Sequence, residues 1–174
     1  MSPVAPAGQY TPPKSVGNGE TFPRNLITQE EVRRGVALLA DQVAVRLRRH
    51  RMKATTLQVT IRDPNFKDIC RQRPLPAPTC TARELMRAAL EIIGCGGEAD
   101  APIRAITLTA QNLIPEDEAS EQLGLFAPEE PHRRDKAEKL ERVVDRLRER
   151  YGHDAVTPAV LVPAPGTEEN DVPF

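Results

Sequence analysis

The 174-residue chain is poor in aromatic side chains, only 3% of its residues, and it has no tryptophan. A surface that holds single-stranded bases by stacking needs exposed rings, so that mode of nucleic-acid binding is not expected. Cysteine is scarce as well: Cys70, Cys80 and Cys95 form an odd set without Cys-x-x-Cys spacing or a nearby histidine. Neither a disulfide framework nor a zinc site fits that spacing, and a reducing, cytoplasmic compartment is expected. No apolar run is long enough to span a bilayer, and the N-terminus lacks the basic and apolar regions of a secretion signal. The expectation is a soluble, cytoplasmic monomer with no membrane partner.

Catalytic chemistry is also missing. Asp117-Glu118 is a carboxylate pair, but its acidic, proline-flanked stretch lacks the buried strand context that could hold two magnesium ions. His50, His132 and His153 are dispersed and have no nucleophile partner in the sequence, so they read as surface histidines. Gly94, Gly96 and Gly97 lack the helix and lysine of a phosphate-binding loop and read as a turn. No catalytic residue, metal or cofactor is expected in this chain.

What is present is a segregation of charge. The net charge is -1, yet between Lys14 and Leu113 sixteen basic residues outnumber ten acidic ones, a surplus of six. From Ile114 onward fifteen acidic residues face eight basic ones. A basic body with an acidic tail fits a polyanion-binding domain carrying a separate partner-binding extension. Ordinary solvated helix charge is the plainer alternative.

Residues 1–13 are rich in proline and alanine and read as a linker. The body, 14–113, opens with a glycine-containing strand from Lys14 to Phe22 whose backbone amides are accessible. Thr28 and Glu31 form a capping-box signature, and Val32, Val36, Leu39, Val43 and Leu47 recur at helical spacing up to His50. From Thr55 the period falls to two, with Leu57, Val59 and Ile61 on one face and Gln58, Thr60 and Arg62 on the other. Asp63-Pro64-Asn65 supplies a turn, and Phe66 to Arg73 a return strand. The three-residue spacing of Phe66 and Ile69 requires a bulge, or a strand that begins only after Phe66. A second box, Thr81 with Glu84, opens a helix through Leu85, Ala88, Ala89, Ile92 and Ile93 that stops at Gly94, and Pro102 to Leu113 is the last strand. The order β-α-β-β-α-β predicts an α+β fold of the split β-α-β kind. Its four-stranded sheet carries two helices on one face and leaves the other open for binding.

Beyond the body, 114–132 reads as a partner-binding segment, 133–162 as a helix followed by a short apolar run, and 163–174 as a disordered tail. Leu140, Val143, Val144, Leu147 and Tyr151 trace an amphipathic stripe on a helix starting near Arg133. It is too short for several heptads, so it is expected to dock on the body rather than form a coiled coil.

Within 114–132, Gln122-Leu123-Gly124-Leu125-Phe126 sets large apolar side chains among acidic and proline residues. The stretch reads either as an exposed ligand or as buried chain closing the domain. It resembles the Gln-Leu-x-Leu-Phe peptide by which bacterial DNA polymerases hold the sliding clamp. Further motifs precede it: Lys14-Ser15-Val16-Gly17-Asn18, Thr21-Phe22-Pro23-Arg24, the run Phe66 to Arg73, Pro102-Ile103-Arg104 and Asn112-Leu113. In this order they resemble the little finger, the C-terminal DNA-binding domain, of a Y-family translesion DNA polymerase of the polymerase IV type. The helix from Arg133 through Tyr151-Gly152 and the apolar run after it are similar to a tail found in some bacterial members.

The resemblance implies a non-catalytic grip on double-stranded primer-template DNA in translesion synthesis and repair, with the open sheet face over the phosphates. Lys14, Ser15, Val16 and Gly17 would meet one phosphate run. Arg71 and Arg73, two apart and so on one strand face, would meet another with Arg104. Gln122, Leu123, Leu125 and Phe126 would occupy the clamp. Magnesium would be needed only by a full-length polymerase. Thr107 departs from the pattern, since many members carry glycine there. A freestanding accessory protein that competes for the clamp or recruits another factor would use the same surfaces. An RNA-binding ferredoxin-like domain would need exposed aromatic residues on its sheet.

Overall fold

The computed structural model of the protein describes residues 13–95, 101–119 and 131–161. β1 (Val16–Leu26) is followed by α1 (Gln29–Arg49), β2 (Met52–Arg62), β3 (Asp68–Thr79), α2 (Ala82–Gly94) and β4 (Ile103–Gln111), the expected α+β order. A two-residue β5 (Ile114–Pro115), a helix α3 (Pro131–Tyr151) and two short 3-10 turns, His153–Ala155 and Ala159–Leu161, come after it. The sheet order is β1-β4-β2-β3, with every neighbour antiparallel. β1 and β2 are therefore parallel to each other with β4 between them, which is the split β-α-β arrangement.

Local chemistry opens α1. The Thr28 hydroxyl accepts from the Glu31 N–H at 3.1 Å, and the Glu31 carboxylate accepts from the Thr28 N–H at 3.0 Å and the Ile27 N–H at 2.9 Å. The reciprocal box is complete, and these backbone donors hold the Glu31 carboxyl below its ordinary range. The stripe Val32, Val36, Leu39, Val43 and Leu47 is buried in the core beneath the sheet. Gly35 lets Phe22 of β1 pack close, since a Cβ there would stand 2.9 Å from the ring.

In the hairpin, the Asp63 carboxylate accepts from the Asn65 and Lys67 N–H groups at 2.8 and 2.9 Å, and Phe66 takes a φ of 63°. β3 accordingly begins after Phe66. It continues to Thr79, beyond the expected Arg73, through Pro74, Pro76 and Pro78. An edge strand tolerates these because alternate amides need no partner in the sheet, and the pairing with β2 shifts between Ala54 and Thr56.

The second capping box does not form. The Thr81 hydroxyl lies 3.1 Å from the Thr79 hydroxyl and makes no cap bond, while Glu84 pairs with Arg134 at 3.2 Å. The carboxylate at the start of α2 comes instead from Glu141 of α3, whose two oxygens accept from the Ala82 N–H at 2.9 and 3.0 Å. Burial pushes this Glu141 carboxyl up, against the opposing pull of the Ala82 N–H and Arg48.

α3 docks on the body, as expected, but not through its apolar stripe. Arg48 bonds the two oxygens of Asp145 at 2.6 and 2.9 Å, the Cys80 carbonyl at 2.9 Å, and Glu141. Lys53 meets Glu138 at 2.9 Å, and Arg142 bridges Glu138 at 3.0 Å and Glu116. Arg148 meets Asp41. Asp41, Arg48 and Lys53 are buried charges of α1 and β2, and buried charges must be paired, so a charged helix face is what covers them. Leu140, Val143, Leu147 and Tyr151 of the apolar stripe are left outside, with Val144 half-buried.

β5 adds a fifth strand to the four expected. Ile114 and Pro115 pair with Lys53 and Met52, and the Glu116 N–H donates to the Arg51 carbonyl at 3.1 Å. Sheet pairing thus runs past Leu113, where the body was expected to end.

Candidate nucleic-acid interface

Side chains directly opposite each other on neighbouring strands point to the same side of a sheet, so the register defines the open face. Gly17, Thr109, Gln58 and Gln72 form one row, and Gly19, Thr107, Thr60 and Cys70 the next. Thr21, Ala105, Arg62 and Asp68 form a third. The face is thus built of hydroxyls, amides and small residues. Its two charged groups, Arg62 and Asp68, neutralise each other at 2.7 and 2.9 Å. That hydrogen-bonded pairing holds the Arg62 guanidinium above and the Asp68 carboxyl below the usual values.

Glycine on β1 gives the face its profile. A Cβ at Gly17 would stand 2.9 Å from Thr109 Oγ1, and one at Gly19 would stand 2.5 Å from Thr107 Oγ1. The threonine at 107, in place of the glycine that the resemblance led one to expect, is accommodated by the glycine opposite it.

The residues expected to touch phosphate fall into three places. Lys14 and Ser15 are exposed just ahead of β1, Val16 is buried, and Gly17 lies on the open face with its carbonyl accepting from Arg46 at 3.0 Å. β1 is an edge strand, so its outward amides have no partner in the sheet. Arg71 and Arg73 do share a strand face, but they stand opposite Val59 and Leu57 and so belong to the helix side of the other edge, not to the open face. Arg73 there lies 3.5 Å from Glu91 of α2 and 3.5 Å from Cys95 Sγ. Arg104 packs over the Phe66 ring near the β2–β3 turn, 4.9 Å from its centroid. The open-face residues Gln58, Thr60, Gln72, Thr107 and Thr109 were not singled out as contacts from the sequence. Their signal was alternation with Leu57, Val59, Ile106 and Leu108.

Gln122, Leu123, Leu125 and Phe126 lie outside the described residues, as do the linker through residue 12 and the tail from residue 162. Asp117 and Glu118 are both exposed. Cys80 Sγ and carboxylate oxygens of Glu116 and Glu138 come within 4.8 Å of one another, a spacing a metal ion could bridge. Lys53 and Arg142 already neutralise those carboxylates, however, and burial pushes the Cys80 thiol up to about 12, which keeps it protonated and a poor ligand. Among the described residues no helix is long and apolar enough to cross a membrane.

Residues 13–125 match the impB/mucB/samB family C-terminal domain. The chain belongs to that family. Over 161 residues it is 35% identical to DNA polymerase IV of Acetivibrio thermocellus, covering 92% of this chain and 40% of the relative. DNA polymerase IV of Moorella thermoacetica is 30% identical over 165 residues, covering 95% of this chain and 39% of the relative. The chain therefore spans about two fifths of the length of these relatives. A solved complex of a beta-clamp processivity factor with the little finger domain of PolIV is 16% identical, with a TM-score of 0.49, covering 58% of this chain and 90% of that one. Helix α3 lies beyond the family match.

Proposed function

We propose that this domain grips duplex DNA without sequence preference and is held at the sliding clamp by Gln122 to Phe126, as the little finger of a polymerase IV. It carries no polymerase chemistry of its own. The observation that supports this most is the open face, a sheet surface of hydroxyls, amides and small residues with its own two charges cancelled. Such a face offers no large apolar side chain for a protein partner and no ring for a base, but many polar groups for a hydrated phosphate backbone. Its two edges are three strand spacings apart, roughly 14 Å, close to the ~12 Å width of a B-DNA major groove. Lys14 and the β1 amides edge it on one side, and Arg71 and Arg73 project behind the other. Carboxylates placed on the face by Thr60→Glu with Thr109→Glu should weaken duplex binding by about tenfold or more. The melting temperature should hold, since both positions point outward. Unchanged duplex affinity in that variant would remove the open face from the interface.

The clamp contact rests on the pentapeptide and on family membership. Burying Leu125 and Phe126 would contribute about 1.5 to 3 kcal/mol each, and the Gln122 amide about 1 kcal/mol. After the cost of ordering the segment, affinity near the micromolar range, about -8 kcal/mol, is expected. Truncating Leu125 and Phe126 to alanine should abolish the calorimetric signal with the bacterial clamp and leave duplex affinity and melting temperature intact. Retained heat would place the contact elsewhere, and a large fall in melting temperature would make these residues part of the core.

A further inference from the structure

Helix α3 carries four large apolar residues on the side that the fold does not use. Leu140, Val143, Leu147 and Tyr151 are 63%, 49%, 38% and 66% exposed, and their spacing lines them up along one face of the helix. The opposite side is committed to the ion pairs with Asp41, Arg48 and Lys53, so the helix cannot roll to bury the stripe without exposing or unpairing those charges. The stripe is therefore a fixed, outward apolar surface. Along one flank run Lys139, Arg146 and Arg150, while Lys136 continues the line of the stripe one turn towards the N-terminus; all four are exposed and none is in an ion pair among the described residues, and Arg150 lies over the Tyr151 ring at 5.5 Å. The exposed acids of the helix, Asp135 and Glu149, lie farther round, away from the stripe.

We propose that this face of α3 is a docking site for an acidic amphipathic helix of a protein partner. From Leu140 to Tyr151 the stripe is about 16 Å long, which suits roughly three turns of a facing helix. The basic row selects its chemistry, since carboxylates beside the partner's apolar stripe would meet four cations that form no ion pair among the described residues. A second copy of this chain fits poorly, because an antiparallel pair of α3 helices sets basic row against basic row.

The probe is a synthetic helical peptide with leucine along one face, bordered by glutamate, and a second peptide with lysine in place of each glutamate. Fluorescence anisotropy with the 174-residue chain should show binding of the glutamate peptide and about tenfold or more weaker binding of the lysine peptide. Leu140→Gln with Val143→Gln and Leu147→Gln should remove binding at unchanged melting temperature. Lys139→Ala with Arg146→Ala should weaken it severalfold. Equal binding of the two peptides, no binding of either, or indifference to the triple variant would overturn the proposal. So would sedimentation showing a dimer that the triple variant abolishes, or binding to phosphatidylglycerol vesicles in preference to the glutamate peptide. Those two results would assign the face to a second copy or to a lipid surface.

Discussion

Asp41 of α1 and Arg148 of α3, 107 residues apart in the chain, meet at 2.9 and 3.1 Å with both residues buried. The same arginine donates to the Val156 carbonyl at 3.1 Å, so it fastens the end of α3 and the chain that follows it to the body. Arg148→Ala would leave a buried carboxylate without a partner. It should cost about 3 kcal/mol in a urea denaturation series. Replacing both members, Asp41→Leu with Arg148→Met, should recover most of that loss, because removing both charges together leaves nothing unpaired. A double variant as unstable as the single one would mean that the pair does not set the docking energy.

Gly19 and Thr107 should behave as a coupled pair. Gly19→Ala should destabilise by about 1 to 3 kcal/mol, because the new methyl meets a β-branched side chain that cannot turn freely. In a chain that also carries Thr107→Gly the methyl has room, and its cost should shrink. A double-mutant cycle is expected to give a coupling of about 1 kcal/mol or more. Additive effects would contradict the close approach.

Acid should loosen α3 through Glu138. Burial works against this carboxylate, but Lys53 and Arg142 outweigh it and hold it below its ordinary 4.5. A carboxyl depressed in the folded state contributes stability that is present above 4.5 and is lost as pH falls through its folded value. The gap in melting temperature between the parent chain and Glu138→Gln should therefore be widest near neutral pH and close progressively below 4.5. A gap that stays constant into strong acid would exclude the ionised contact as its source.

The parts legible in the sequence were those set by neighbours in the chain. Thr28 and Glu31 need only each other, and Leu57, Val59 and Ile61 report the buried face of β2 directly. The Thr81–Glu84 reading failed because Glu141, 59 residues away, takes the position at the start of α2. The α3 stripe was assigned to docking because apolar periodicity usually marks the buried face. Here buried charges on α1 and β2 demanded the other face. The side of β3 that bears Arg71 and Arg73 was in fact readable, since Ile69 alternates with them and stands opposite Ile61 of the core. Orienting the strand by Ile69 rather than by the arginines places them on the helix side.

Sequence-blind contact with the duplex backbone is the central claim, and its most direct measurement is the salt dependence of duplex affinity. Anisotropy titrations on two unrelated duplexes should give equal affinities and parallel log-log salt plots with a slope of about -3 to -5, as expected if three to five phosphates are neutralised. A flat salt response, or a strong preference for one of the two duplexes, would contradict it.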